Sequence, residues 1–591
     1  MMAQYRSIKE QHPDSVLFFR LGDFYEMFED DAIEVSRLLN ITLTARGGVP
    51  MAGVPYHAAK NYIKRLLDAG KKVAICEQTL TGEKLAQREV VQVVTPATVI
   101  EDDFLQARDT NFLMAATIQK GLIVTSYADV GSGIFFVRQV EHDAQYIHLL
   151  ALLEEIRPRE LLVNEDEYFL LGEFKEAVDQ TSAMITKLPP YQFSAKKAYE
   201  LLLEHFEVHT LKAFGIDDYA PYLSSAGALL SYLQQTARSS LKQIDTLTLV
   251  HSDEFMHIDE DSRKSLELFA NLADGSSRYT LFDSIDSTVT SMGTRKLKQW
   301  VASPLARKEA ISSRHRWVDL LYHDREELER VRHELKQVLD LERLTSRVVM
   351  ARHLPRDISG IAQALRGFFL LFDERYRDLL VTTHREHEEA LALATHIDRA
   401  LNPSHQGPFE EGKVILDGYD AELDELRKIK GGGKELLEEY LEELRAKTGI
   451  PTVKLGNNRI LGHYIEVTKV HADKMPATFY RKQTLVNAER FTSDELIALE
   501  RRIQHAALDA EQYERAIYEK LVEETLAAQK TLLSIATFLS DLDCYQSLAH
   551  RAHVSSFVKP EFVDEDCLIV EGGRHPVVEA NLPPGEFVAN P

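Results

Sequence analysis

Hydrophobic positions in the first hundred residues switch repeatedly between strand and helix patterns. Val16 to Leu21 is a mostly apolar, strand-like run ending at Gly22-Asp23, and Asp30-Asp31-Ala32 opens an amphipathic helical stretch. Ala59, Tyr62, Ile63, Leu66 and Leu67 recur at helical spacing, with Gly70 where a C-terminal cap belongs. Val73 to Cys76 and Val90 to Val94 read as buried strands, so this segment is an α/β domain with mixed connections. Residues 110–245 open with a strand pair, Leu122 to Asp129 and Gly133 to Val137, around the hairpin signal Val130-Gly131-Ser132. With helical stretches and the strand Leu161 to Val163, they form a second α/β domain.

From about 255 the pattern is helical, opened by Leu266, Leu268, Phe269 and Leu272 and running to about 400. Leu423, Leu426, Leu437, Leu441 and Leu444 predict one long charged helix despite the triple glycine at 431–433. Leu496, Leu499, Ile503, Ala506, Ala510, Tyr513, Ile517 and Leu521 predict a second. Between them, Thr452 to Leu455, Ile460 and Tyr464 to Val467 read as β, so two long helices flank a small β tip, like an arm carrying a gripping pad. The last forty residues start another α/β unit with a strand at Cys567 to Val570. There is no internal repeat and no low-complexity tract.

The net charge of −24 over 591 residues argues against nucleic acid when taken globally. Local balance changes that picture. Residues 451–490 hold seven basic and three acidic side chains, and residues 41–90 hold eight and four. Two basic islands in an acidic chain suggest two confined phosphate-contacting surfaces. No apolar run approaches the roughly 20 residues of a membrane span, and Met1 to Arg20 has no secretory pattern. Cys76, Cys544 and Cys567 lack metal-ligand spacing and fit a reducing cytoplasm, where buried cysteine acts as a small apolar residue.

The phosphate-cradling G-x-x-x-x-G-K-[ST] loop is absent. Gly431-Gly432-Gly433-Lys434 fails on both sides, with Lys428 for the first glycine and Glu435 for the hydroxyl. His384, His387 and Glu388 are in neither zincin order and read as a solvated helix face. Asp129 at a strand end invites a nuclease reading, but two-metal chemistry needs several convergent carboxylates and no clear second one is present.

The informative segments come in a fixed order. They are Gly22-Asp23-Phe24-Tyr25-Glu26-Met27-Phe28, Pro50 to His57, Ala74-Ile75-Cys76-Glu77-Gln78 and Val93-Val94-Thr95-Pro96. Later come Tyr279 to Pro304, Gln483-Thr484-Leu485, Asn487-Ala488-Glu489-Arg490, and Glu571 to Glu579. Together they closely resemble the MutS family of mismatch-recognition proteins over essentially the whole chain. The resemblance implies a multidomain α/β and α protein. Its parts are a mixed α/β mismatch-binding domain (1–104), an RNase H-like connector (110–245), a helical lever (255–434 and 493–548) with an inserted β clamp (435–492), and the start of a P-loop ATPase domain (549–591). It implies that Phe24 wedges into the base stack and Glu26 hydrogen-bonds the displaced base, with Arg46 and Met51 in the same site. Arg481, Lys482, Asn487 and Arg490 are the implied clamp contacts to the DNA backbone, and Phe587 the implied packing surface for adenine.

It further implies ATP and Mg²⁺ as cofactors, duplex DNA with mismatches or small loops as ligand, a homodimer, a MutL-type partner and a place in the bacterial cytosol, associated with the nucleoid. The chain stops before the phosphate-binding loop, so by itself it is expected to lack ATPase activity. It departs from the family pattern at Val486, Gln92, Ala45 and Ala97, the first three standing where a basic residue is common, and Met1-Met2 begins late. The rivals are a MutS paralogue that binds DNA junctions and the RNase H-like nuclease; Phe24 with Glu26 speaks against the first.

Overall fold

The computed structural model describes residues 1–79, 87–101, 104–216, 220–237, 241–251, 253–458, 462–563, 565, 567–583 and 585–590. The chain divides into two compact units, one of Met1–His353, Gln363–Leu391 and Ala528–Pro591, the other of Leu354–Ala362 and Ala392–Ala527.

The first unit begins with a six-stranded sheet of β1 (Ser15–Leu21), β2 (Phe24–Phe28), β3 (Thr44–Arg46), β4 (Val49–Pro55), β5 (Lys72–Thr79) and β6 (Gln87–Val94) in the order β3-β4-β2-β1-β5-β6. β1 runs parallel to β5 and every other pair is antiparallel, the mixed connectivity the pattern predicts. One face packs Phe18, Tyr25, Met27 and Val54 against the helices Glu29–Leu39 and Ala59–Asp68. The other packs Leu17, Phe19, Phe28 and Cys76 under Tyr5 and Ile8 of the Met2–Gln11 helix. Buried Asp31 accepts hydrogen bonds from the Tyr5 hydroxyl and the Leu17 amide and pairs with Lys9, tying that helix to β1. Gly70 sits at φ +70° past the Ala59–Asp68 helix, and the Lys71 amide closes back on the Leu66 carbonyl at 2.9 Å, a glycine cap.

The second sheet holds β7 (Leu113–Gln119), β8 (Leu122–Asp129), β9 (Ile134–Glu141), β10 (Glu160–Asn164), β11 (Met184–Leu188) and β12 (Thr248–Val250) in the order β11-β10-β7-β8-β9-β12. β7, β8 and β9 form an antiparallel meander, with β10 and β11 added parallel beyond β7. The buried helix Leu223–Ala237 covers one face. The rest of this unit is mostly helical, centred on the Gln529–Ser555 helix.

The second unit carries a four-stranded sheet of β13 (Lys454–Asn458), β14 (Gly462–Thr468), β15 (Phe479–Thr484) and β16 (Ala488–Ser493), in the order β13-β14-β16-β15. It lies in sequence between the helices Gly433–Thr448 and Asp494–Ala527. Its apolar face packs Ile465, Val467 and Phe491 on Leu437, Leu441, Leu444 and Leu496. The second helix has 34 residues and is about 51 Å long.

Four expectations are corrected. Leu266 to Leu272 do not open a helix. The Glu260–Ser265 helix ends there, Glu267 has φ 45°, and the Asn271 side chain caps the Ala273 and Asp274 amides in a turn, leaving Leu272 70% exposed. The first long helix is two, Ala421–Gly431 and Gly433–Thr448, interrupted at Gly432. A Cβ at Gly432 would lie 2.8 Å from the Lys428 carbonyl, and one at Gly433 would press on Ile503 at 3.0 Å, so the glycines allow close approach at the cost of helical regularity. Cys567 to Val570 form no strand, because no described segment pairs with their backbone, and Leu568 is 91% exposed. Cys567 is also exposed, unlike Cys76 and Cys544; burial pushes the Cys76 thiol up to about 12. Ile460 and Arg459 lie outside the described residues.

Candidate nucleic-acid interfaces

β2 has a burial pattern that changes along its length. Phe28 and Met27 are fully buried and Tyr25 nearly so, whereas Phe24, first after the Gly22-Asp23 turn, is 46% exposed. Pairing with β1 sets Leu21 opposite Phe24 and Phe19 opposite Glu26; pairing with β4 sets Pro55 opposite Phe24, Gly53 opposite Glu26 and Met51 opposite Phe28. Strand alternation then puts Phe24, Glu26 and Phe28 on one face. Phe28 lies under the N-terminal helix, with its ring 5.1 Å from that of Tyr5. Phe24 lies at the other end of the strand, where the same face opens to solvent.

Gly53 leaves a bare floor between the two. A Cβ built there would sit 3.7 Å from Glu26 Cγ and 3.8 Å from Phe24 Cδ1. Met51 is half-buried against the cluster of Leu17, Phe19 and Phe28, so it supports the edge from below. Arg46 ends β3 at a two-residue turn whose glycines, Gly47 and Gly48, have φ +60° and +82°, the sign both positions of a type I′ turn require. Its Nη1 lies 3.2 Å from Glu26 Oε2, with side-chain exposures of 56% and 17%. On the opposite face Tyr25 donates to Glu77, and burial with that carboxylate raises the phenol well above its usual range. Gly53 was not singled out by sequence reasoning. Its signal was the register of β4 on β2, which periodicity does not give.

The four-stranded pad distributes its charges differently. Arg490 stacks over Tyr464 at 4.3 Å, pairs with Glu466 at 3.0 Å and donates to Gln483 at 2.9 Å. Arg481 pairs with buried Glu489 at 2.9 Å. Between Arg481 and Gln483 the register slips, so Lys482 is the extra residue of a bulge on edge strand β15, and it is exposed. Asn487 lies exposed in the β15–β16 turn beside Val486, which is 86% exposed, and the Asn487 carbonyl accepts from the Lys469 amide at 3.3 Å. Lys454, Lys469 and Lys474 are exposed on the same small sheet and its connection. The basic surplus is therefore carried by lysines around the pad, while two of its arginines are internally compensated. In the 41–90 island, Lys71 pairs with Glu34 and Lys72 with buried Glu160, so these two charges are already compensated.

Asp129 is 2% exposed and accepts from the Gly131 and Asn111 amides, which makes it a turn-holding carboxylate. His387 bonds Thr382 in the core while His384 pairs with Glu388 outside. Among the described residues no group of three His, Cys, Asp or Glu is placed to hold a metal ion, and no described helix is long and apolar enough to cross a membrane. Phe587 is half-buried in the terminal segment, near the bridge of Gly573 to Asn590.

Three family profiles match in succession: MutS domain I over residues 1–103, MutS domain II over 111–245 and MutS domain III over 261–549. The DNA mismatch repair protein MutS of Treponema denticola is 35% identical over 610 residues, covering 100% of this chain and 68% of that protein. The chain belongs to the MutS family. MutS proteins of Treponema pallidum (strain Nichols), 35% identical over 599 residues, and Salinibacter ruber, 36% over 607, also align with 100% of the chain, which takes in 66% of each. The chain thus spans 66% to 68% of the length of these curated relatives. In MutS terms, domain I contains the Phe24 edge, domain II the second sheet through β11, and domain III the pad with its two flanking helices.

Proposed function

We propose that this chain recognises mismatched or unpaired bases in duplex DNA and so initiates mismatch repair. The observation that carries the reading is Phe24: an aromatic left 46% exposed on a strand whose following residues are mostly buried, with Glu26 two positions along the same face. An aromatic wedge costs a few kcal/mol of unstacking per base step. A mispaired or unpaired base has already lost part of its pairing, so the cost is smaller there. Discrimination then rests on deformability rather than on base sequence. Glu26 gains a hydrogen bond only where a base is displaced and offers a normal duplex none.

The finer architecture belongs to the same proposal. The β11-β10-β7-β8-β9 order, an antiparallel meander extended by parallel strands, supports an RNase H-like connector. The pad between two long helices supports a clamp on a lever, with Arg481, Lys482, Asn487 and Arg490 toward the DNA backbone. We further propose a homodimer, a MutL-type partner and work in the bacterial cytosol at the nucleoid, with residues 549–591 beginning a P-loop ATPase domain. For ATP, Phe587 is the proposed surface for adenine. The sequence has no phosphate-cradling loop, and no metal-ligand cluster is present among the described residues.

The test is the ratio of dissociation constants for matched and mismatched duplexes at fixed salt. Phe24→Ala should bring that ratio close to one while weak duplex binding survives, because phosphate contacts elsewhere remain. An unchanged ratio refutes the wedge.

A further inference from the structure

We propose that Arg46 is a conditional phosphate contact: Glu26 holds it while no base is displaced and releases it to the DNA backbone when a base takes the carboxylate. This rests on the reading of Phe24 and Glu26 as the mismatch readers. In the free protein the two charges are joined end-on through one contact of 3.2 Å, Arg46 Nη1 to Glu26 Oε2. A bidentate clasp would have used both guanidinium arms. Here the remaining N–H groups of a side chain that is 56% exposed face water. An exposed pair of this kind is weak, so it exchanges partners readily.

The setting of Arg46 allows that exchange. All three residues of β3 are exposed, β3 is an edge strand, and a Cβ at Gly47 or Gly48 would meet nothing within 4 Å. The hairpin tip therefore stands clear of packing and is free to follow a phosphate backbone. Glu26, at 17% exposure and opposite Gly53, is seated deeper in the sheet. The exposed partner is the arginine and the seated one the carboxylate.

The charge arithmetic gives the arrangement its use. An unpaired Arg46 would attract any phosphate and add equally to matched and mismatched binding. Neutralised by Glu26, it adds nothing until a base N–H and a nearby phosphate take over the two halves of the pair. Base reading and backbone grip are then coupled, and the coupling favours the mispair.

The test is a salt titration of binding for wild type, Arg46→Ala, Glu26→Gln and the double variant, each on a matched duplex and on one with a single unpaired base. For wild type, Arg46→Ala should flatten the log–log salt slope by about 0.9, one phosphate's worth, on the unpaired-base duplex only. Glu26→Gln should raise affinity for the matched duplex and steepen its slope by about the same amount, since Arg46 is then free. In that background Arg46→Ala should flatten both duplexes equally. Equal flattening in the wild-type background would make Arg46 a constant contact and overturn the proposal. No flattening on either duplex would also overturn it, leaving Arg46 to position Glu26. Failure of the wedge reading itself is read separately, as a matched-to-mismatched ratio that Phe24→Ala does not change.

Discussion

Phe24 and Phe491 are both on antiparallel strands, each with an arginine–glutamate pair in its sheet, yet Phe24 is 46% exposed and Phe491 5%. Phe491 packs on Leu437, Leu441 and Ile465, with the Arg481 guanidinium 5.9 Å from its ring and Arg481 held by Glu489. Phe24 has Leu21 and Pro55 opposite it in register and open space above. The pad buries Phe491 for folding and presents lysines, with Tyr480 exposed on its edge strand. The reading edge keeps its charges paired and presents an aromatic. An apolar side chain held in water contributes little to folding, so under the proposed function Phe24 at the end of β2 serves the base stack rather than the core.

The sharpest way to break that comparison is to truncate both rings. Phe491→Ala should cost about 3–5 kcal/mol, the range for emptying a buried aromatic site. The loss should appear as faster hydrogen exchange across β13–β16. Phe24→Ala should stay within about 0.5 kcal/mol, as surface substitutions do, with exchange in β1–β6 unchanged while mismatch preference is lost. Equal losses of protection would mean that Phe24 is a packing residue after all.

A smaller effect separates the cations. Lys482 is a bulge residue with no ion-pair partner among the described residues, so Lys482→Ala should reduce the salt slope by about 0.9 on matched and mismatched DNA alike. Arg490 is already paired with Glu466 and bonded to Gln483, so Arg490→Ala should change the slope less and loosen the β14–β16 pairing more. The charge count of 451–490 suggests that all three basic clamp residues act alike; the structure divides them. A larger slope change for Arg490→Ala than for Lys482→Ala would show that the Glu466 pair opens on DNA.

Much of this was legible in the sequence because local chemistry fixed it. Gly70, the amphipathic stretch from Ala59 and the apolar run from Val16 each specify their element from neighbours a few residues away. The Leu496 to Leu521 spacing did the same for the Asp494–Ala527 helix. What failed depended on partners. Cys567 to Val570 has the composition of a strand and nothing described to pair with, and Leu266 to Leu272 has helical spacing overridden by the Asn271 turn. At the site, Phe24 and Glu26 stood out through their motif. The Arg46–Glu26 pair and the role of Gly53 arise from a register across three strands, which no spacing along one strand encodes.

Gly53 supplies the smallest and most specific test of the reading edge. Its backbone is not in the left-handed region, and an added Cβ would meet Tyr25 O at 3.5 Å, Glu26 Cγ at 3.7 Å and Phe24 Cδ1 at 3.8 Å, all ordinary contacts. Gly53→Ala should therefore fold like the parent. The methyl would nevertheless stand on the floor between the wedge and the carboxylate, where a displaced base has to lie to reach Glu26. One added methyl in an enclosed pocket changes discrimination by about tenfold or more; on this open face the effect should be below that. Mismatch preference should fall by less than about tenfold, with matched-duplex affinity little changed, because the methyl adds and removes no charge. Gly53→Val should extend the loss. If Gly53→Val keeps the parent's ratio of dissociation constants, the base does not approach Glu26 over this floor. The contrast between an edge shaped for a base and a pad charged for a backbone would then rest on Phe24 alone.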